Sequence, residues 1–382
     1  MKIPLAWLQL SHEKIRLLVA IAGISFADIL MFMQLGFRDA LFDSAVKFHT
    51  NVQGDVFLVS PQSTSLIAMK TFSARRLQQA RSLDNVESIN PIYLDFRFWK
   101  NPENKSTRGI MVIGFNPSDN KLFTMPGVKE NLPKILLPNS YLFDTKSRAQ
   151  FGDVKKWFDA GQKVTTEVGN RKVTIGGLFE MGASFGADGN ILSSDTNFIR
   201  LTDRDKGLID VGVIRLTPGS DAKATAAKLA KVLPNDVRVF TKTEFIDFER
   251  KYWQEGTSIG FIFTLGTVMG FIVGIVIVYH ILYTDVADHL SEYATLKAMG
   301  YTDWYLLAVV FQEAIILSII GFMPGMFAAV GLYTLTRNAT SLPLMMTVAR
   351  ATQVLLLTVI MCLVSGAIAV RKLRAADPAD MF

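Results

Sequence analysis

Four long stretches of almost unbroken apolar residues dominate the pattern of the chain: Leu17–Phe37, Ile259–Tyr283, about Tyr305–Leu335, and Ala351–Val370. A helix needs ~20 such residues to cross ~30 Å of hydrocarbon, because lipid offers no partners to backbone polar groups or to ions. The pattern predicts four transmembrane helices. The third stretch is longer than one span requires and contains Pro324, so it is expected to kink there or to project beyond the bilayer. Polar residues delimit the rest: segments 1–16, 38–256, 284–304, 336–350 and 371–382 lie outside the spans, which are bounded as 17–37, 257–283, 305–335 and 351–370.

Segment 38–256 is too long for a loop and alternates like a folded α+β unit. Period-two or apolar runs at Gly54–Ser60, Ile92–Lys100, Gly109–Phe115, Val173–Phe179, Thr196–Leu201 and Val211–Leu216 predict strands. Asp221–Leu233 reads as a helix with Ala222, Ala226, Leu229 and Leu233 on one stripe and Pro234 at its end. A short strand, Val237–Phe240, follows, and then a helix over Thr243–Gln254 with Thr241 or Thr243 as N-cap and little to break it before the second span. A similar helix leaving the first span through Gly36–Phe48 would give the domain two stalks. Residues 181–195 contain Asp188, Asn190 and Asp195 but lack the bidentate Glu and ligand spacing of a calcium loop, so they read as a surface loop. The fold class is a membrane α+β protein with a large extracytoplasmic α+β domain inserted between the first and second of four transmembrane helices.

Charge adds a sidedness. The net charge of +6 comes from 40 basic and 34 acidic residues spread along the chain, which leaves no block that would mark a nucleic-acid surface. Lys2, Lys14 and Arg16 precede the first span, Lys297 lies in 284–304, and Arg371, Lys372 and Arg374 follow the fourth; the short loop 336–350 holds only Arg337 and Arg350. The positive-inside rule then puts both termini and 284–304 in the cytoplasm and 38–256 outside. No small-x-small site follows the first span, so it is read as an anchor and not as a cleaved signal.

Candidate chemistry is sparse. The single cysteine, Cys362, excludes an intrachain disulfide, and no Cys/His spacing suggests zinc. No GxxxxGK[ST], GxSxG or HExxH occurs, so the chain is expected to be non-catalytic, without a metal or cofactor of its own. Inside the spans, Gly266, Gly270 and Gly274 form two overlapping GxxxG steps that let another helix approach closely. Asp28 and Glu313 are intramembrane acids with no basic residue at matching depth, and are either functional or structural. In 284–304, Val286, Leu290, Tyr293, Ala294 and Met299 share one helical side, Asp285, Asp288, Glu292 and Lys297 populate the rest, and Gly300 is a stop. Anionic headgroups would repel that acidic face, so a cytoplasmic protein is the better receiver.

Here the residues carry a resemblance. E-Y-A-T-L-K-A-M-G, Glu292–Gly300, resembles the E-(I/F)-(G/A)-x-(L/R)-(K/R)-A-(L/I/M)-G pattern of the FtsX-like permease domain in the MacB superfamily of ABC transporters. Glu313 with Gly321 and Gly325 resembles its E-x7-G-x3-G third span, and Lys372 to Pro378 its K-x-R-x-x-D-P tail. With PLAWLQL at Pro4–Leu10 and MFMQLGF at Met31–Phe37, the chain is similar to the DevC type of permease. His289 stands where many members carry Arg, and Tyr293-Ala294 where many carry Ile-Gly. The resemblance implies a homodimeric permease subunit whose short cytoplasmic helix engages a separate ABC ATPase, which binds ATP and Mg. Its coupling residues would be Asp285, Leu290, Glu292, Tyr293, Leu296, Lys297, Met299 and Gly300. It also implies a membrane-fusion adaptor, a TolC-like outer-membrane channel, and export of a lipid, glycolipid or other amphiphile. An FtsX-like signalling subunit that relays ATPase state without transport is the alternative.

Overall fold

The computed structural model describes residues 12–289, 292, 295, 299, 300, 302–340 and 342–374, and the chain divides into two compact units, Leu41–Thr257 and the flanking Met1–Ala40 with Ser258–Phe382. In the inserted unit the strands run in chain order β1 Val56–Val59, β2 Phe72–Ser73, β3 Val86–Lys100, β4 Thr107–Phe115, β5 Ser140–Asp144, β6 Thr165–Val168, β7 Arg171–Phe179, β8 Asn190–Ser194, β9 Leu208–Ile209, β10 Val211–Leu216 and β11 Arg238–Thr241. Nine of these described strands form one sheet in the order β11-β1-β10-β3-β4-β8-β5-β7-β6, while β2 and β9 pair separately.

The 15-residue β3 organises that sheet. Its first half pairs with β10 and the segment Ile92–Lys100 with β4, and a bridge from Trp99 to Val168 brings β6 back onto it. The run β3-β4-β8-β5-β7-β6 thereby closes on itself through one residue pair, while β11 remains an edge strand. Trp99 is fully buried, packs on Phe143 and Phe151, and donates its indole N–H to the Phe151 carbonyl at 3.1 Å. Both sheet faces are covered: Val56, Leu58, Ile110 and Val112 enter one apolar cluster, and the alternate residues Phe57, Val59, Met111 and Ile113 enter the other.

Three expectations for this unit are corrected. Thr196–Leu201 is not a strand but part of a helix, Asp195–Thr202, started by Ser194, whose hydroxyl accepts the Asn197 N–H. Phe198 and Leu201 are buried at helical spacing, a pattern too short for periodicity to distinguish from a strand. Residues 181–195 are not wholly a surface loop: Asn190–Ser194 is the buried strand β8 between β4 and β5. Asn190 reaches the buried Asp144 carboxylate at 2.8 Å, and Asp188 pairs with Arg108 at 2.5 Å and Arg148 at 2.6 Å. Finally, the helix Lys242–Glu255, which Thr241 and Glu244 start with a reciprocal capping box, does not run unbroken into the next one. Gly256 ends it and a new helix begins at Ser258, in keeping with glycine's low helix propensity.

The flanking unit contains four described helices long and apolar enough to cross a membrane, within Lys14–Ala45, Ser258–Asp288, Asp303–Thr340 and Val348–Arg374. The third is 38 residues long, about 57 Å at 1.5 Å per residue, and passes through Pro324 as one helix. Its surplus length, not an interruption, accommodates the long apolar run. It continues to Thr340 and the fourth helix starts at Val348, so most of 336–350 is helical.

Glycines set the packing in this unit. A Cβ at Gly266 would lie 2.4 Å from the Gln34 side chain, one at Gly270 3.3 Å from Leu30, and one at Gly274 2.9 Å from Ala27 and 2.0 Å from the Met361 sulfur. The three-glycine face of the second helix therefore receives the first helix of the same chain. Gly321 and Gly325 of the third helix do likewise, against Ile24, Ser25 and Asp28, and Ser25 Oγ donates to the Gly321 carbonyl at 2.8 Å. Outward, Phe261, Ile262, Leu265, Ile272 and Val276 leave an exposed apolar stripe on the second helix.

Gly274→Leu should overpack this junction by roughly 1–3 kcal/mol and lower the melting temperature of the detergent-solubilised protein by several degrees. Gly270→Ala meets only ordinary or slightly tight contacts at 3.3–3.4 Å and should melt within about a degree of the parent. Equal melting of both variants would show that the glycine face is not a close helix contact.

Candidate functional site

The sequence ends the second apolar run at Tyr283, but the helix continues through Asp288. Its last turns carry Asp285 and Asp288 into contact with the start of the first helix, and His289 lies just beyond. Arg16 is the centre of that contact: its guanidinium bonds to Asp288, lies 3.6 Å from Asp285 Oδ1, and pairs with Glu13 at 2.6 Å. Asp285 is 3% exposed, so its charge is answered inside the protein and not by water.

The signs explain the geometry. A cation near a helix N-terminus and carboxylates near a helix C-terminus each oppose their own macrodipole. Bringing Arg16 of the first helix to Asp285 and Asp288 of the second reverses both mismatches at once. His289 closes the turn, with Nδ1 2.9 Å from the Asp285 carbonyl and 3.8 Å from its carboxylate.

The third helix joins through Glu313, which is fully buried. Its carboxyl lies beside that of Asp285, and neither Glu313 oxygen has a hydrogen-bond partner among the described residues. The neighbour of Glu313 is a second acid, placed there by the extra turn of the second helix and tied in turn to Arg16. A shallow cleft bounded by Glu13, Arg16, Leu17, Ile281, Asp285 and Leu317 lies beside the node.

Asp28 is also fully buried, midway along the first helix, where Thr358 of the fourth helix donates to Oδ1 at 2.5 Å. At the far end of the same unit Arg350, 6% exposed, bonds to Asp39 at 2.8 Å and to the Met345 carbonyl at 2.7 Å, with its guanidinium over the Tyr333 ring. The Tyr333 hydroxyl donates to the Phe32 carbonyl, and Gly36 leaves the space it occupies.

The sequence-derived coupling set divides. Asp285, placed by sequence on the surface offered to another protein, is instead buried in the node, because the helix carries it inside the bundle. Glu292, Met299 and Gly300 are exposed, and Gly300 has the left-handed φ of +95° expected of a helix stop. Leu290, Tyr293, Leu296 and Lys297 lie outside the described residues. Sequence reasoning used Arg16 only for sidedness and passed over Glu13 and the tie at Asp39. The available signal was complementary charge at the same-side ends of two apolar runs.

Residues 257–378 match the family described as FtsX-like permease C-terminal. That stretch, which carries the second to fourth helices and their connectors, is similar to the FtsX-like permease domain. No curated protein matches the chain. Among solved structures the chain is similar to the periplasmic region of MacB from Actinobacillus actinomycetemcomitans, at 7% identity over 52% of this chain and 92% of that one, with a TM-score of 0.38. It is also similar to the extracellular domain of the noncanonic ABC-type transporter YknZ from Gram-positive bacteria, at 12% identity over 49% of this chain and 100% of that one, with a TM-score of 0.37. Both likenesses are loose.

Arg16→Ala should destabilise the helical unit by on the order of 1–3 kcal/mol, less than a fully buried pair because the Arg16 side chain keeps 26% of its surface exposed. Asp285→Asn in the same chain should recover part of that loss, since it removes the charge left behind. A double-mutant cycle on thermal unfolding in detergent measures the coupling, and strictly additive losses would contradict the node.

Proposed function

We propose that the chain is the permease subunit of an ABC-type exporter of the MacB superfamily, acting as a homodimer with a separate ATPase that binds ATP and Mg. Segment 284–304 is the coupling element that the ATPase engages from the cytoplasm. The observation that carries this reading is the node of Arg16, Asp285 and Glu313: it fastens the root of the coupling segment to the first and third helices. A displacement of that segment is then delivered to three helices together, as a force-transmitting subunit requires. The chain itself does no chemistry.

In this reading both termini are cytoplasmic and the inserted unit is periplasmic, where it works with a membrane-fusion adaptor and, through it, a TolC-like outer-membrane channel. The cargo is a lipid, glycolipid or other amphiphile taken from the outer leaflet or periplasm, as for the DevC type. No substrate needs to pass between the four helices, whose interior is filled by Ile24, Ala27, Met31, Leu317 and Met361.

Affinity purification of the full chain from its native membrane should recover an ABC ATPase and an adaptor. Reconstituted with that ATPase in nanodiscs, the chain should raise ATP turnover several-fold. Glu292→Lys should return turnover to the basal rate while the helices still insert. Stimulation unaffected by Glu292→Lys would remove the coupling assignment, and recovery of a cell-wall hydrolase or sensor kinase in place of an adaptor would replace export by signalling.

A further inference from the structure

The inserted unit buries an acid and a base that play no part in the reading above. Glu249, 1% exposed, belongs to the helix Lys242–Glu255, and His49, 0% exposed, to the short helix Lys47–Asn51. Through these two helices the chain leaves and joins the unit. Glu249 Oε1 accepts the Trp253 indole N–H at 2.8 Å and Oε2 the Leu66 backbone N–H at 2.6 Å. His49 Nε2 stands 3.6 Å from Oε2, just beyond hydrogen-bond reach, and neither ring nitrogen has a partner among the described residues. Phe245 and Phe48 pack on the imidazole, with ring centroids at 4.4 and 5.6 Å.

Two cations are near. Lys242 Nζ donates to the carbonyls of His49, Thr50 and Val52, and Arg250, beside Glu249 on its helix, is bound to Asp43 at 3.1 Å. Neither forms an ion pair with Glu249. A carboxylate buried without a cation is costly, and so is a buried imidazolium. Burial pushes Glu249 up to about 7, against the pull of its bonds to Trp253 and Leu66. Burial, helped by Lys242, pushes His49 down to about 3. In water the order is the reverse, imidazole holding its proton to a higher pH than a carboxylate does.

We propose that Glu249 and His49 form a one-proton clasp between the incoming and outgoing helices, with the proton on the carboxyl when the clasp is closed and on the imidazole when it is open. When closed, the Glu249 O–H is directed at His49 Nε2. On opening, that O–H bond breaks and an N–H bond forms, leaving a solvated carboxylate and imidazolium, so the charge of the pair sums to zero in both states.

The two groups drive stability in opposite directions. Glu249, with its folded pKa raised, stabilises the closed state most below about 4.5 and loses that contribution as pH rises to about 7. His49, with its folded pKa depressed, contributes above about 6.5 and loses its share as pH falls toward about 3. Between about 4.5 and 6.5 the slopes cancel, so opening consumes and releases no proton.

Hydrogen exchange of the full-length protein in nanodiscs tests this at pH 5.0 to 6.5, read on peptides spanning 47–51, 64–68 and 245–253 and corrected for intrinsic exchange. The parent should show an opening constant that varies less than about twofold over this range. Glu249→Gln should open more easily as pH falls, and His49→Gln as pH rises, each approaching about tenfold per pH unit. Parallel profiles for all three proteins would overturn the clasp. The parent alone gives a second reading: with four histidines in the chain, imidazole 15N shifts should show His49 neutral at pH 5.5, and a protonated His49 there would equally overturn it.

Discussion

A charge carried into a hydrocarbon-spanning bundle has to be answered by another protein group, and that constraint fixes how these four helices meet. Arg16 with Asp285 satisfies it at one end and Asp39 with Arg350 at the other, and Thr358 bonds to Asp28 between them. Each tie links helices distant in sequence, so each sets rotation as well as proximity. A helix rotated about its axis would strand at least one of these groups in lipid, at a cost of ~2.5–3.5 kcal/mol for a central acid. Apolar packing alone has no such preference, because lipid chains are as apolar as Leu and Ile.

The glycines make those ties reachable. Gly266, Gly270 and Gly274 admit the first helix to the second, and Gly321 and Gly325 admit it to the third. The first helix thus packs against both, with Ile24, Ala27, Met31 and Phe32 all fully buried. Contact on several sides suits the helix that bears Asp28, since it keeps a mid-span acid away from lipid.

Much of this was legible in the sequence, and what was missed has physical causes. The apolar runs, the GxxxG register and the two intramembrane acids could be read directly, because each is a local pattern with a single strong cause. The pairing of Asp285 with Glu313 could not, since it depends on the second helix running on past Tyr283, where hydropathy falls but helix propensity does not. In the inserted unit, β8 was hidden because Ile191 and Leu192 are flanked by Asn190, Ser193 and Ser194, polar residues that are buried and hydrogen-bonded. Thr196–Leu201 failed differently: six residues span too few turns for a period of 3.6 to separate from one of 2. The approach of His49 to Glu249, 200 positions further along the chain, leaves no local trace.

The register of β1 with β11 has a mechanical meaning. Val56, the first residue of β1, lies opposite Thr241, the last of β11, so the polypeptide arrives at and departs from the inserted unit side by side. A tug on either tether acts almost at a single anchorage and does not stretch the sheet between distant attachment points. The Lys242 contacts to the Asp55, His49 and Val52 carbonyls bind the arriving and departing segments to each other at that point, ahead of the strands beyond.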